Sequence, residues 1–187
     1  MRMMDTFGGL RLCVCIVLAA FVGLSGCSKK KEPAPKEEGR GAVIIEKSMM
    51  APDVPMRSLD GTSPFLADYR GKIVLLHFWS TMNADCKEQI PILGEIAAEY
   101  QRYEIVVLGV SIDKGGESAL RSFLQTNKVG YPTFYNGVDI IGKFGGLRKL
   151  PTTYFITRDG RIYFKALGPQ SKAFYRIKIK DMMKQRL

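Results

Sequence analysis

The stretch IVLLHFWSTMNADCKEQIP, residues 73–91, decides the fold of this chain. Its residues 73–79 form an almost wholly apolar run with the length of a central β-strand, and residues 104–110 form another. Between these runs, apolar side chains recur at helical spacing and form one stripe. The stripe consists of Ile90, Leu93, Ile96, Ala97, Tyr100 and Tyr103. The sequence therefore predicts a βαβ unit with a right-handed crossover.

Strands and helices continue to alternate after this unit. The pattern predicts a helix over residues 117–127 and strands over residues 152–157 and 161–166. The step Asp159-Gly160 between these strands is a signal for a hairpin turn. Ser171 is a candidate N-cap for a closing helix, although the alternating residues 176–180 would also suit a strand. This order predicts an α/β domain over residues 51–187.

Length and composition limit the class of protein. The 187 residues, 46% apolar and 25% charged, are typical of one globular domain with appendages and exclude a large multidomain enzyme. The four cysteines leave a disulfide framework, a metal site and a redox pair open until their positions are considered. The net charge of +10 comes without any nucleic-acid-binding motif, so we predict no nucleic-acid partner.

The N-terminal residues have the features of an export signal. Arg2 and Arg11 supply positive charge, and the uncharged run over residues 12–28 is shorter than the about 20 apolar residues of a membrane-spanning helix. The run ends in Leu24-Ser25-Gly26-Cys27, which resembles the lipobox of bacterial lipoproteins. An uncleaved anchor in which Cys27 is incidental is the alternative interpretation.

The lipobox resemblance implies how the N-terminal part is processed. Residues 1–26 would be a signal peptide that carries away Cys13 and Cys15, and Cys27 would be the lipidated first residue. Residues 27–50, rich in charge and containing prolines, predict a flexible tether. The run Lys29-Lys30-Lys31 suits either an anionic membrane surface or a solvated linker.

Several motifs of the predicted domain resemble one known family. They are Ala51-Pro52-Asp53, Leu59-Asp60-Gly61, Tyr69-Arg70-Gly71-Lys72, Phe78-Trp79-Ser80-Thr81, Cys86-Lys87-Glu88, Pro91 and Leu150-Pro151-Thr152-Thr153. Their order and spacing are similar to those of the TlpA/ResA-like thiol-disulfide oxidoreductases, which belong to the AhpC/TSA-redoxin superfamily. The resemblance implies a thioredoxin-like three-layer sandwich, with four core strands in a mixed sheet, helices on both faces and an added N-terminal hairpin.

The family resemblance also implies where the site lies and what it does. Members reduce disulfides of exported proteins with two cysteines at the start of the first core helix. Pro151 is similar to the family's cis-proline, beside which an extended substrate backbone lies. The resemblance therefore implies a groove lined by Met82, Ala84, Asp85, Leu150, Pro151 and Thr152.

The chemistry of the family does not carry over to this chain. Asn83 stands where the family has its nucleophilic cysteine, and an amide neither attacks a disulfide nor resolves one. Gln89 stands where ResA-like members have a buried glutamate, and a glutamine does not titrate. Because two cooperating positions have changed, we predict a degenerate Asn-x-x-Cys site that has lost dithiol cycling. Asn83 is instead a good N-cap, placed to accept a hydrogen bond from the backbone N–H of Cys86.

Cys86 is the remaining candidate for chemistry. The helix N-terminus favours its thiolate, whereas the adjacent Asp85 opposes it. An inert, half-buried thiol and a reactive monothiol are both compatible with these residues. The spacing of peroxiredoxins is absent, because Thr81 lies five positions before Cys86. With His77 and Met82, Cys86 would give too few ligands for a metal site, so we predict neither metal nor cofactor.

Together these residues predict a thioredoxin-like protein that is lipid-anchored in the cell envelope and faces the periplasm or the exterior. Its partners would be the membrane and an extended extracytoplasmic polypeptide, cysteine-containing ones included, bound beside Pro151. The alternative is a monothiol redox enzyme that uses Cys86 for thiol-disulfide exchange or peroxide reaction. A structural partner in an envelope complex is a third interpretation.

Overall fold

The computed structural model describes residues 42–44 and 49–184. The predicted signal peptide over residues 1–26, the lipidation of Cys27 and most of the tether lie outside the described residues. Within the described part, no helix combines the length and the apolarity that crossing a bilayer requires.

A mixed sheet of six strands forms the middle layer, in the order β1-β6-β5-β2-β3-β4. The strands are β1 Ala42–Ile44, β2 Ile73–Trp79, β3 Ile105–Ser111, β4 Thr133–Phe134, β5 Thr152–Ile156 and β6 Ile162–Leu167. β2, β3 and β4 run parallel, and β5 pairs antiparallel with both β2 and β6. The four predicted core strands are present, and the short strands β1 and β4 extend them at the two edges.

Helices cover both faces of this sheet. They are α1 Ala84–Tyr100, α2 Gly116–Thr126, α3 Gly137–Ile140 and α4 Lys172–Lys184. Short 3-10 turns span Leu66–Tyr69, Gln101–Tyr103 and Ile141–Phe144. Leu75 and Trp79 of β2 face the side of α1. Leu76 and Phe78 face the opposite side, where they pack with α3 and with Val54 and Met56. This alternation follows from the two-residue period of a strand and gives the predicted three layers.

The closing helix is confirmed. Ser171 Oγ accepts a hydrogen bond from the backbone N–H of Phe174 at 3.2 Å, as an N-cap does. The alternative strand over residues 176–180 is wrong, because Tyr175, Ile179 and Met182 are buried at helical spacing.

The predicted apolar stripe of α1 is correct except at its end. α1 stops at Tyr100, and the chain then turns through Glu104, whose φ is 55°. Tyr103 therefore leaves the stripe and is 54% exposed, contrary to the sequence prediction.

The predicted N-terminal hairpin is present as a narrow ladder of backbone hydrogen bonds. Met56 N–H donates to the Pro64 carbonyl at 2.8 Å, and Ser58 N–H donates to the Thr62 carbonyl at 2.9 Å. Tyr135 N–H, just past β4, donates to the Arg57 carbonyl at 3.0 Å. The hairpin thereby covers the open edge of β4, which would otherwise present unpaired backbone groups.

Candidate functional site

The start of α1 has the cap that the sequence predicts. Asn83 has an extended backbone, and its Oδ1 accepts a hydrogen bond from the backbone N–H of Cys86 at 3.0 Å. This bond satisfies one of the free amides at the helix N-terminus. The Asn83 side chain is therefore engaged in holding the helix start.

The Cys86 thiol lies in the interior. Cys86 is 0% exposed and packs in a cluster with Trp79, Ile90 and Leu120, here called the thiol cluster. Burial is the main reason that the pKa of Cys86 is raised to about 11, and the charge of Asp85 adds to the rise. At neutral pH the sulfur is consequently a protonated thiol, the form that does not attack disulfides.

Gln89 makes a structural contact that the sequence did not predict. Its side chain is 0% exposed, and its Nε2 donates to the backbone carbonyl of Gln170 at 3.2 Å. Its Oε1 accepts from the backbone N–H of Gln170 at 2.6 Å. One amide thus ties α1 to the loop before α4. A carboxylate could accept the second bond but could not donate the first.

The residues just before β5, Leu150 and Pro151, form what we call the proline loop, which lies beside the thiol cluster. The peptide bond between Leu150 and Pro151 is cis, as the resemblance implied. The Pro151 carbonyl accepts a hydrogen bond from Gly168 N–H at 2.7 Å. Leu150 is partly buried and packs against the cluster that contains Cys86. The loop and the start of α1 therefore meet at one end of the sheet.

The residues predicted to line a groove differ in their exposure. Met82 is 87% exposed, Ala84 is exposed, Asp85 and Leu150 are half-buried, and Pro151 is buried. Thr152 corrects the prediction: it is 0% exposed, and its hydroxyl donates to the Lys149 carbonyl at 2.5 Å. Thr152 begins β5, an interior strand of the sheet, and its hydroxyl is turned to the Lys149 carbonyl rather than to solvent.

Two residues that sequence analysis did not single out complete the surroundings. Leu59, at the hairpin turn, and Tyr135, just past β4, are partly buried and pack against the thiol cluster. With Leu150 they form what we call the apolar rim. Leu59 was noticed only as part of a family motif, and no local pattern places Tyr135 near Cys86.

A buried hydrogen-bonded row crosses the sheet on the α1 side. His77 Nδ1 lies 3.1 Å from Thr153 Oγ1, which lies 3.2 Å from the Tyr175 hydroxyl. His77 is 0% exposed, and burial lowers the pKa of its imidazole to about 3. His77 is therefore a neutral interior residue at physiological pH.

This burial predicts acid sensitivity. The folded-state pKa of His77 lies below its unfolded value, so the unfolded chain binds a proton more readily than the folded chain. The stability of the fold is therefore fully present above the unfolded pKa and decreases as the pH falls. We expect the free energy of unfolding to drop by about 2 kcal/mol between about pH 7.5 and about pH 5 through this residue. Urea unfolding of the wild type and of His77→Asn measures it, since the variant should lack this component. If the free energy of unfolding fell equally with pH in the two proteins, His77 would not be the source of the acid sensitivity.

The comparisons with known proteins agree with this geometry. The model of the AhpC/TSA family matches residues 48–165. Thioredoxin-like protein YneN of Bacillus subtilis is 27% identical over 158 residues, which cover 84% of this chain and 89% of YneN. Thiol-disulfide oxidoreductase ResA of Geobacillus thermodenitrificans is 31% identical over 124 residues, which cover 65% of this chain and 70% of ResA.

Solved structures show the same fold. A thiol:disulfide interchange protein from Chlorobium tepidum TLS, a thioredoxin family protein, aligns with a TM-score of 0.64 and 22% identity, over 72% of this chain and 95% of that chain. A thiol:disulfide interchange protein from Bacteroides sp. aligns with a TM-score of 0.63 and 20% identity, over 76% and 93% of the two chains. The predicted thioredoxin-like α/β fold is confirmed.

Proposed function

The chain belongs to the AhpC/TSA family, among the thioredoxin-like relatives of the ResA thiol-disulfide oxidoreductases, and we propose that it binds extended polypeptide without dithiol cycling. One observation carries the proposal. At the start of α1, Asn83 caps the helix where a nucleophile is expected, and Cys86 is buried behind it. The chain has the thioredoxin-like fold and a cis-proline loop, and we propose that the thiol pair of a disulfide reductase has been lost.

The requirements of thiol-disulfide exchange support this proposal. Exchange needs a thiolate that reaches the disulfide and a second thiol that resolves the mixed disulfide. In the described part of the chain, Cys86 is the one free cysteine, and its pKa of about 11 keeps it protonated. The same facts weigh against the alternative of a monothiol enzyme, because reactive cysteines are accessible and have lowered pKa values.

The exposed apolar side chains around the site support polypeptide binding. Met82 is 87% exposed in the loop before α1, although a methionine side chain gains from burial. The apolar rim, whose side chains are only partly buried, packs against the thiol cluster at the start of α1. Methionine is also flexible enough to adapt to varied partner side chains. We propose that a bound segment covers Met82 and the exposed part of Leu150.

We further propose that this binding takes place in the cell envelope. The support is the sequence ahead of the domain, where a lipobox-like Leu24-Ser25-Gly26-Cys27 follows a short apolar run. Lipid on Cys27 would anchor the chain, and residues 27–50 would tether the domain on the periplasmic or extracellular side.

Binding and turnover measurements on the purified chain test the proposal. With a fluorescently labelled, reduced and carboxymethylated polypeptide, Cys86→Ser should bind like the wild type, and Met82→Ser should bind about tenfold more weakly. Met49→Ser is the matched control, because Met49 is 60% exposed. Its carbonyl accepts from the Ile162 N–H, at the end of β6 opposite the end that pairs with Thr152. Multiple turnovers of disulfide reduction that Cys86→Ser abolishes would contradict the proposal and support the monothiol enzyme.

A further inference from the structure

Asp113 lies just past the end of β3 and holds the loop that leads into α1. Its Oδ1 accepts a hydrogen bond from Ser80 Oγ at 2.6 Å, and its Oδ2 accepts one from Ser111 Oγ at 2.7 Å. The backbone N–H of Thr81 donates to both oxygens, at 3.2 and 3.0 Å. Asp113 is only 9% exposed, so these donors rather than water satisfy the carboxylate.

The network extends from Asp113 to the backbone of Met82. Ser80 Oγ, which donates to Asp113, accepts a hydrogen bond from the Met82 N–H at 3.2 Å. The Met82 side chain is 87% exposed, so packing does not fix its position. The direction in which Met82 projects therefore depends on the backbone of residues 80–82, which Asp113 holds.

We propose that Asp113 is a positioning residue for polypeptide binding: its carboxylate fixes residues 80–82 so that Met82 is presented to the bound chain. The inference rests on the proposed function and adds a residue that touches no ligand. Ordering this loop before binding reduces the conformational entropy that the complex would otherwise lose.

The carboxylate suits this role better than an amide would. All its neighbours in the network are donors, two hydroxyls and one backbone N–H, and a carboxylate offers acceptor sites on both oxygens. An asparagine would turn one of these oxygens into a donor. Hydrogen bonds to a charged acceptor are also roughly twice as strong as neutral ones.

Affinity and amide exchange of the full chain test the inference. The probe is the labelled, carboxymethylated polypeptide, measured well below the unfolding temperature of each variant. Asp113→Ala should bind it about fivefold to tenfold more weakly and should exchange the Thr81 and Met82 amide protons faster. Asp53→Ala is the matched control, because Asp53 Oδ1 likewise accepts from a backbone amide, that of Ala67, but outside this loop. It should bind like the wild type.

A double-variant comparison separates positioning from general stability. If Asp113 acts through Met82, then Asp113→Ala should weaken binding little further in a chain that already carries Met82→Ser. Equal affinity of Asp113→Ala and the wild type, or unchanged exchange of the two amides, overturns the inference and leaves the proposed function intact. Absence of polypeptide binding by the unaltered chain overturns the proposed function and the affinity part of the inference with it. If Asp113→Ala does not fold, Asp113→Asn is judged by the same criteria.

Discussion

The Asn83→Cys variant is expected to form a reversible disulfide between positions 83 and 86. Asn83 is the N-cap of α1, and its Oδ1 lies 3.0 Å from the backbone nitrogen of Cys86, so the first turn brings the two positions together. The new thiol would lie at a helix N-terminus and be partly exposed, conditions that lower the pKa of a cysteine. One substitution would thus place a second thiol, under conditions that favour the thiolate, beside Cys86.

The effect should be large because oxidation would remove every free thiol of the variant. Carrying Cys13→Ser, Cys15→Ser and Cys27→Ser, the chain should show two free thiols after reduction and none after oxidation. The reduced variant should lose about 1 kcal/mol of stability, since cysteine is a poorer N-cap than asparagine. Disulfide formation should then recover stability, because it closes a loop in the unfolded chain.

Two controls define what the Asn83→Cys result means. Asn83→Ser retains a capping oxygen without a thiol and should show neither the disulfide nor the loss of stability. Asn83→Cys combined with Cys86→Ser should keep one free thiol under oxidant. Persistence of both thiols in the single variant after oxidation would show that the two positions are not placed for a bond.

The local features of the site follow from the sequence because they depend on neighbouring residues. The apolar run of β2 predicts a buried central strand, and the three-residue spacing of Asn83 and Cys86 predicts the cap. Ser171 likewise predicts the start of α4. In each case, the interacting groups lie within one turn or one strand, so their spacing determines the contact.

The remaining features depend on residues that are distant in the sequence. Thr152 was expected to line the groove, but it starts an interior strand of the sheet and is 0% exposed. The Gln89 amide pairs with the backbone of Gln170, 81 positions away, and Asp113 reaches Ser80 across 33 positions. The periodicity of a sequence does not indicate contacts between such distant residues. The sequence therefore shows a glutamine at position 89, but it does not show that its amide binds the Gln170 backbone.

The Gln89→Glu variant is expected to have a stability that depends on pH in a way the wild type does not. A protonated glutamic acid can donate to the Gln170 carbonyl and accept from the Gln170 N–H, as the amide does. A carboxylate cannot donate, and it would be buried beside a carbonyl oxygen. Both burial and this carbonyl would raise the folded-state pKa of the glutamate above its unfolded value of about 4.3.

The sign of the effect follows from that difference. With the folded-state pKa raised, the variant should match the wild type below about pH 4 and become progressively less stable as the pH rises. We expect a deficit of about 3 kcal/mol at about pH 8, the cost of a buried carboxylate with one bond lost. Urea unfolding at each pH, with the wild type measured alongside, removes the contribution of His77 that both proteins share. Gln89→Met loses both hydrogen bonds without introducing a titrating group, so its deficit should not vary with pH. A deficit in Gln89→Glu that is equally constant from about pH 4 to about pH 8 would mean that the side chain at position 89 is neither buried nor bound to the Gln170 backbone.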